Sequence, residues 1–270
     1  ILAGGQGKRM RSTETHKTCF PIAGVPAIVR TVDMLKGVGV RRVLIVVGQM
    51  AEQVIATVAG AHPDVAFVYQ ADPRGTGHAV SCATAHLQAS GFDGDVLITM
   101  GDKVIQANVV EELLDRHRRG EAGQQVTLAA LPTTHAGTAG RVVKDDGEAI
   151  GIVELPDIRR AARTRTRLRL AGRRFSAEQV EQASDSVNAS LYCFRAPMLY
   201  EAVGSLADDN AQGELYLTDT IEHAASAGRS IDVVDVPNGE DLMAYNTPEE
   251  LLHVEEVFAR RLRRRRRIET

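Results

Sequence analysis

What the sequence has little of narrows it first. Tryptophan is absent, aromatic residues make up 4% of the 270, and the three cysteines, Cys19, Cys82 and Cys193, stand far apart without Cys-x-x-Cys spacing. An odd, scattered set of thiols supports neither a disulfide framework nor a zinc ribbon, and it fits a reducing cytosol. No apolar run approaches the ~20 residues a membrane span needs; the longest, such as 43–47, have the length of a buried strand. There is no internal repeat, and in particular no six-residue β-helix repeat. With 44% hydrophobic and 25% charged residues, disorder and collagen are excluded, and the length suits one large α/β domain or two small ones.

Charge is unevenly spread. The net value of −3 combines +6 within 259–270, where seven arginines face Glu269, with −9 over 1–258. Such a run can touch nucleic acid or an anionic surface. The plainer reading is a solvated helix end or the start of an arm, so neither a nucleic-acid nor a membrane partner is expected. The chain opens on Ile1 in what reads as the end of a strand, so preceding residues are expected too.

Hydrophobic periodicity then alternates. Helical spacing over 26–38 (Ile28, Val32, Leu35, Val38), 51–59, 77–87 and 108–119 is interleaved with extended runs at 43–47, 65–69, 96–100 and 126–131. This alternation predicts parallel crossovers and a doubly wound sheet. Beyond it, Asp145-Asp146-Gly147 signals a hairpin, 156–174 carries eight arginines and reads as an exposed excursion with some helix, and 187–194 and 231–236 read as strands around a helix over 218–227. Thr247-Pro248-Glu249-Glu250 is a helix opening, with Thr as cap, Pro in the first position and an apolar face of Leu251, Val254, Phe258 and Leu262.

Three loops, each closing a strand, carry the chemistry. Leu2-Ala3-Gly4-Gly5-Gln6-Gly7-Lys8-Arg9-Met10 has glycines that let backbone amides approach an anion, with Arg9 and then Lys17 as fixed positive charge. It matches neither the P-loop nor the dinucleotide fingerprint. In Gln70-Ala71-Asp72-Pro73-Arg74-Gly75-Thr76-Gly77-His78-Ala79, Gln70 can read a base edge with both halves of its amide, beside Gly75 and Thr76; a plain loop with Thr76 as helix cap is the alternative. Asp102, after Gly101 at the tip of an apolar strand, suits Mg²⁺ or a helix cap. Together the three describe a nucleoside triphosphate site.

These motifs, with Gly-Arg-Val-Val-Lys-Asp-Asp-Gly, Ile-Val-Glu, Asn-Ala-Gln-Gly-Glu-x-Tyr-Leu-Thr-Asp and a late Tyr-Asn, resemble the sugar-phosphate nucleotidyltransferases. The likeness is greatest to the uridylyltransferase domain of bifunctional N-acetylglucosamine-1-phosphate uridylyltransferases, and it runs from Ile1 to about Phe258. The resemblance implies an α/β, Rossmann-like nucleotidyltransferase fold, with a mixed, mostly parallel central sheet flanked by helices and a smaller sugar-binding subdomain. Residues 1–125 would form the nucleotide half, 126–246 the sugar half, and 247–270 a terminal helix with a basic tail; a cleft between the halves is expected.

The same resemblance assigns Leu2, Ala3, Gly4, Gly5, Gln70, Gly75 and Thr76 to the uridine end, Arg9 and Lys17 to the phosphates as catalytic cations, and Asp102 and Asn246 to Mg²⁺. Gly140, Glu154, Asn188 and Thr218 would surround the sugar. UTP and N-acetylglucosamine 1-phosphate would give UDP-N-acetylglucosamine and pyrophosphate. Rival readings are dTTP with glucose 1-phosphate, GTP with mannose 1-phosphate, and a non-catalytic module of the same fold. A homo-oligomer, or loss of an acetyltransferase domain, is the partner expectation.

Departures from that pattern are His16 in place of proline before Lys17, Lys103 after Asp102, Ala139 in place of an aromatic beside Gly140, and a longer 156–186 segment. His78 is read as structural, because an anionic phosphate nucleophile needs no base.

Overall fold

The computed structural model describes the chain except residues 6, 11, 121–123, 136 and 269–270, and describes no side chain at Lys8, Gln124 or 265–268. The end of the arginine tail therefore lies outside the described residues. The chain divides into two compact units, one made of Ile1–Asp72, Met100–Val110 and Glu240–Thr270, the other of Pro73–Thr99 and Glu111–Gly239.

In chain order the first stretch holds β1 (Leu2–Ala3), β2 (Pro21–Ile22), β3 (Val25–Pro26), α1 (Ala27–Gly37), β4 (Leu44–Val47), α2 (Ala51–Ala59) and β5 (Ala66–Tyr69). Next come α3 (Thr76–Ala89) and β6 (Asp95–Thr99), then β7 (Lys103–Ile105) and α4 (Ala107–Arg119). The long middle stretch carries β8 (Gln124–Pro132), β9 (Arg141–Asp145), β10 (Glu148–Val153), α5 (Leu155–Thr164), β11 (Leu168–Leu170), β12 (Arg173–Phe175) and α6 (Ala177–Gln182). It continues with β13 (Ser186–Arg195), α7 (Ala196–Gly204), α8 (Asp219–Ser226) and β14 (Ser230–Asp235), before β15 (Leu242–Ala244) and α9 (Pro248–Ile268) complete the first unit.

In the first unit β1, β4 and β5 pair in parallel, Leu2 opposite Val46 and Val47 opposite Tyr69. Ile45 and Val47 meet Ile28 and Val32 of α1 and Val54 and Val58 of α2 in one core, the burial that a helical stripe and an apolar strand run require of each other. Pro26 caps α1 rather than lying inside its first turn. Strand β7 pairs antiparallel with β15, and a second core joins Val104, Met243 and Tyr245 to Val254 and Val257 of α9. Leu262, read as part of that stripe, is exposed instead, while Val257 takes a place on the buried face.

The second unit is built on a six-stranded mixed sheet ordered β10-β9-β13-β8-β14, with β6 also on β13. Only β14 on β8 is parallel there. The crossover predicted through 96–100 is met in part, Met100 bridging Leu2 in parallel, while β6 itself pairs antiparallel with β13, far along the chain. The segment read as an exposed excursion is a folded layer. Ile158 of α5, Leu170 of β11 and Val180 of α6 bury against Val143 and Val153, while Arg163, Arg165, Arg167, Arg169 and Arg174 stay outside. The apolar residues were too sparse to show this, since each short element contributes only one or two.

Candidate active site

The glycine loop is shaped by what its glycines touch. A Cβ on Gly4 would lie 2.6 Å from Gln70 Oε1, and one on Gly48 would lie 2.7 Å from the Gly4 carbonyl, so both bare positions let the ends of β1, β4 and β5 converge. Ala3 belongs to the core and can serve a ligand only through its backbone. The Leu2 carbonyl accepts from Gly101 N–H at 2.9 Å, and Gln70 N–H donates to the Val47 carbonyl at 2.8 Å, which places the loop, the glutamine and the Asp102 turn at neighbouring strand ends. Gly7 holds a left-handed φ of 57°, and a Cβ there would stand 3.0 Å from Lys17 Cβ.

Lys17 opens a 3₁₀ turn, Lys17–Cys19. Its ammonium donates to Asp102 Oδ2 and to Asn246 Oδ1 at 3.2 Å, and Arg9 Nη2 donates to the same Asn246 oxygen at 3.0 Å. The remaining Asp102 oxygen, Oδ1, is buried without a hydrogen-bond partner among the described residues, an expensive state for a carboxylate oxygen. Asn246 stands between β15 and α9, where Glu250 N–H bonds the Thr247 hydroxyl at 3.2 Å, the helix cap expected of Thr247. The fully buried Tyr245 donates its hydroxyl to the Lys17 carbonyl at 2.8 Å. Burial lowers the Lys103 ammonium pKa, and the charge of Lys17 lowers it further against the opposing pull of Asp102.

In the second unit the four residues assigned to the sugar form one connected set. Asn188 N–H donates to the Gly140 carbonyl at 2.9 Å. A Cβ on Gly140 would lie 3.2 Å from Glu154 Oε1, and that oxygen accepts from the Thr218 hydroxyl at 3.0 Å. Asn188 Oδ1 is spent within its own strand, on Ser190 N–H and the Tyr192 hydroxyl, both at 2.9 Å, so the amide NH₂ is what remains to offer. Ser190 sits at φ 57° where the pairing of β13 with β8 shifts register, a bulge that re-aims the strand.

Gly75 and Thr76 join the same unit. Gly75 has φ 105°, and a Cβ there would meet the Leu215 carbonyl at 2.5 Å. The Thr76 hydroxyl accepts from Leu217 N–H at 3.1 Å instead of capping α3, whose cap position is Gly75. His78 Nε2 is 4.0 Å from Cys82 Sγ within α3.

Burial raises the Glu154 carboxyl pKa, with Thr218 opposing and Asp157 adding to the rise. The Asp219 carboxyl is pushed up to about 7 by burial and then by Glu222, Asp157 and Glu154. Sequence reasoning passed over Asp219, Tyr192 and Tyr245. Tyr192 stands in no motif, Asp219 closes the Asn-Ala-Gln-Gly-Glu-x-Tyr-Leu-Thr-Asp run noted for Thr218, and Tyr245 stands in the Tyr-Asn pair noted for its asparagine.

Among the described residues no cluster of three or more His, Cys, Asp or Glu could hold a metal ion. Beside the Lys17 ammonium stand one carboxylate and one amide oxygen, those of Asp102 and Asn246. No helix of the described residues is long and apolar enough to cross a membrane.

The chain belongs to the nucleotidyl transferase family, whose pattern matches residues 1–237. Among curated proteins it is similar to the bifunctional protein GlmU of Pelobacter propionicus, 35% identical over 266 residues, covering 98% of this chain and 52% of that protein. The GlmU proteins of a Geobacillus species (34% over 267 residues, 98% and 52%) and Syntrophotalea carbinolica (32% over 263 residues, 97% and 51%) are similar too. The chain spans about half the length of these curated relatives.

Proposed function

We propose that the protein transfers the uridylyl group of UTP to N-acetylglucosamine 1-phosphate, releasing pyrophosphate, in the cytoplasm and with Mg²⁺. The observation that carries this reading is the buried, unpartnered Asp102 Oδ1 beside an ammonium that already reaches both Asp102 and Asn246. Hard oxygen donors with one lone-pair site unused fit a magnesium ion held by Asp102 and Asn246. When bound there, such an ion would supply charge neutralisation for the phosphates.

A sugar phosphate oxygen attacks the α-phosphorus of UTP while the bond to the pyrophosphate oxygen breaks, so the electron pair leaves with pyrophosphate and no covalent enzyme intermediate forms. The nucleophile is already an anion and needs no base. The protein's task is alignment and charge neutralisation. Arg9 and Lys17 balance the charge accumulating on pyrophosphate, and the amides after Leu2 and Ala3, through Gly4 and Gly5, approach the nucleotide. Gln70 reads the base edge, and Gly75 and Thr76 serve the uridine end. Gly140, Glu154, Asn188 and Thr218 hold the sugar by hydrogen bonds, Glu154 accepting and Asn188 donating.

One observation favours a second reading with a different sugar. The turn between β11 and β12 is tied by Ala171 N–H to Glu222 Oε1 at 3.2 Å, on the helix that begins at Asp219, so the inserted layer reaches the element that follows Thr218. Pyrophosphate release measured with four nucleoside triphosphates and a panel of sugar 1-phosphates, with and without EDTA, tests both readings. Turnover confined to UTP and N-acetylglucosamine 1-phosphate and abolished by EDTA supports the first. No turnover with any pair rejects catalysis.

A further inference from the structure

We propose that His16, held neutral with its proton on Nε2, is a positioning residue that ties the glycine loop to the turn carrying Lys17; its role in nucleotide binding rests on the function proposed above. The ring is 3% exposed and both nitrogens are engaged. Nε2 lies 3.2 Å from the Gly5 carbonyl, and a carbonyl only accepts, so the proton must be on Nε2. Nδ1 lies 3.3 Å from Thr18 N–H, and an amide only donates, so Nδ1 must be bare. It also receives the Thr18 hydroxyl at 2.9 Å. Two independent contacts therefore require the same tautomer.

The consequences reach beyond the ring. Gly5 lies in the loop assigned to the nucleotide, Lys17 is flanked by the two residues that engage each other, and Thr18 packs its methyl where a Cβ on Gly101 would come within 2.9 Å, immediately before Asp102. The backbone of His16 is anchored separately, by its N–H to Gln53 Oε1, and Gln53 Nε2 returns to the Glu14 carbonyl at 2.9 Å. Chain position is thus fixed by the backbone, and the side chain is left to hold the loop, the Lys17 turn and the Asp102 turn in register. Sequence alone marked His16 only as a departure from a usual proline, which could not make any of these bonds.

The test uses the full chain. Nitrogen-15 NMR of the imidazole at neutral pH is expected to show the Nε2–H tautomer; the other tautomer or an imidazolium overturns the proposal. His16→Ala is expected to weaken UTP binding, measured by calorimetry without sugar phosphate, about tenfold, the scale of one or two lost preorganising hydrogen bonds. His16→Gln keeps a donor near the Nε2 position and should restore most of that affinity, while His16→Asn, which keeps only the Nδ1 acceptor, should not. Affinity within twofold of wild type in His16→Ala overturns the proposal, as does equal behaviour of the Gln and Asn variants.

If the wild-type chain binds no UTP, the functional reading fails and amide exchange decides the positioning role instead. Faster exchange at Thr18 and Met10 in the variants is then the expected result, and unchanged exchange the refuting one. Should the Ala variant not fold, the Gln and Asn pair and the wild-type tautomer carry the test.

Discussion

Lys17 Nζ and Asn246 Oδ1 are separated by 229 positions in the sequence and by 3.2 Å in space. The same ammonium holds Asp102, so removing it strands a mostly buried carboxylate. Lys17→Ala and Asp102→Ala are each expected to lower turnover about 100-fold or more while leaving the circular dichroism spectrum near wild type, with Lys17→Ala also lowering the thermal midpoint because it strands Asp102. Near-normal turnover in either purified variant removes that residue from the site.

Asp219 gives the protein a stability that depends on pH. Its folded-state pKa is raised from 3.8 to about 7, so over that interval the folded chain binds more protons than the unfolded one and stability falls as pH rises. Above the interval both states are ionised and the full cost of the buried charge remains. Asp219→Asn should flatten this slope and stabilise the protein at pH 8 by on the order of a few kcal/mol. Urea melts at pH 5 and 8 check it; parallel slopes in wild type and variant contradict it. Glu154, whose pKa is also raised, acts in the same direction.

Two glycines with positive φ should respond differently to alanine. At Gly75 the φ of 105° combines with a Cβ only 2.5 Å from the Leu215 carbonyl, whereas at Gly91, with φ 69°, nothing lies within 4 Å. Gly91→Ala should cost about 1 kcal/mol from backbone conformation alone, and Gly75→Ala at least about 2 kcal/mol more because backbone must move. Equal losses in chemical denaturation would show that the close approach at Gly75 is not rigid.

Arg169 and Arg174 face each other directly across β11 and β12. Like charges in register disfavour a hairpin, so Arg174→Glu is expected to stabilise the protein by about 0.5 kcal/mol at low salt. The gain should fade as salt screens it. A gain unchanged in 1 M salt would mean the pair is not electrostatic.

The sequence exposed the strand-end loops well, because glycine, arginine and aspartate were placed there by chemistry that propensity does not demand. Gly4, Lys17, Asp102 and Asn246 were singled out in the sequence, and the structure places them in one unit; Gly140, Glu154, Asn188 and Thr218 meet in the other. What stayed hidden was non-local. The antiparallel partner of β6 lies in β13, and an alternating pattern cannot name a partner. The layer over 155–182 hides a small core, Ile158, Leu170 and Val180 among it, beneath a surface of arginine. His16 looked like a substitution error in a motif, and only its two ring contacts give it a purpose.

The first unit is assembled from three separate lengths of chain, the last beginning at Glu240, and Tyr245 and Asn246 lie in that last length. During synthesis the whole of the second unit is polymerised before either residue exists. The glycine loop, Lys17 and Asp102 must wait, without their final ligand and without the hydroxyl that pins the Lys17 backbone, until translation has nearly passed the end of this sequence. A nascent chain stalled before Tyr245 would therefore display every glycine of the loop after β1 and still lack the hydroxyl and the amide that engage Lys17.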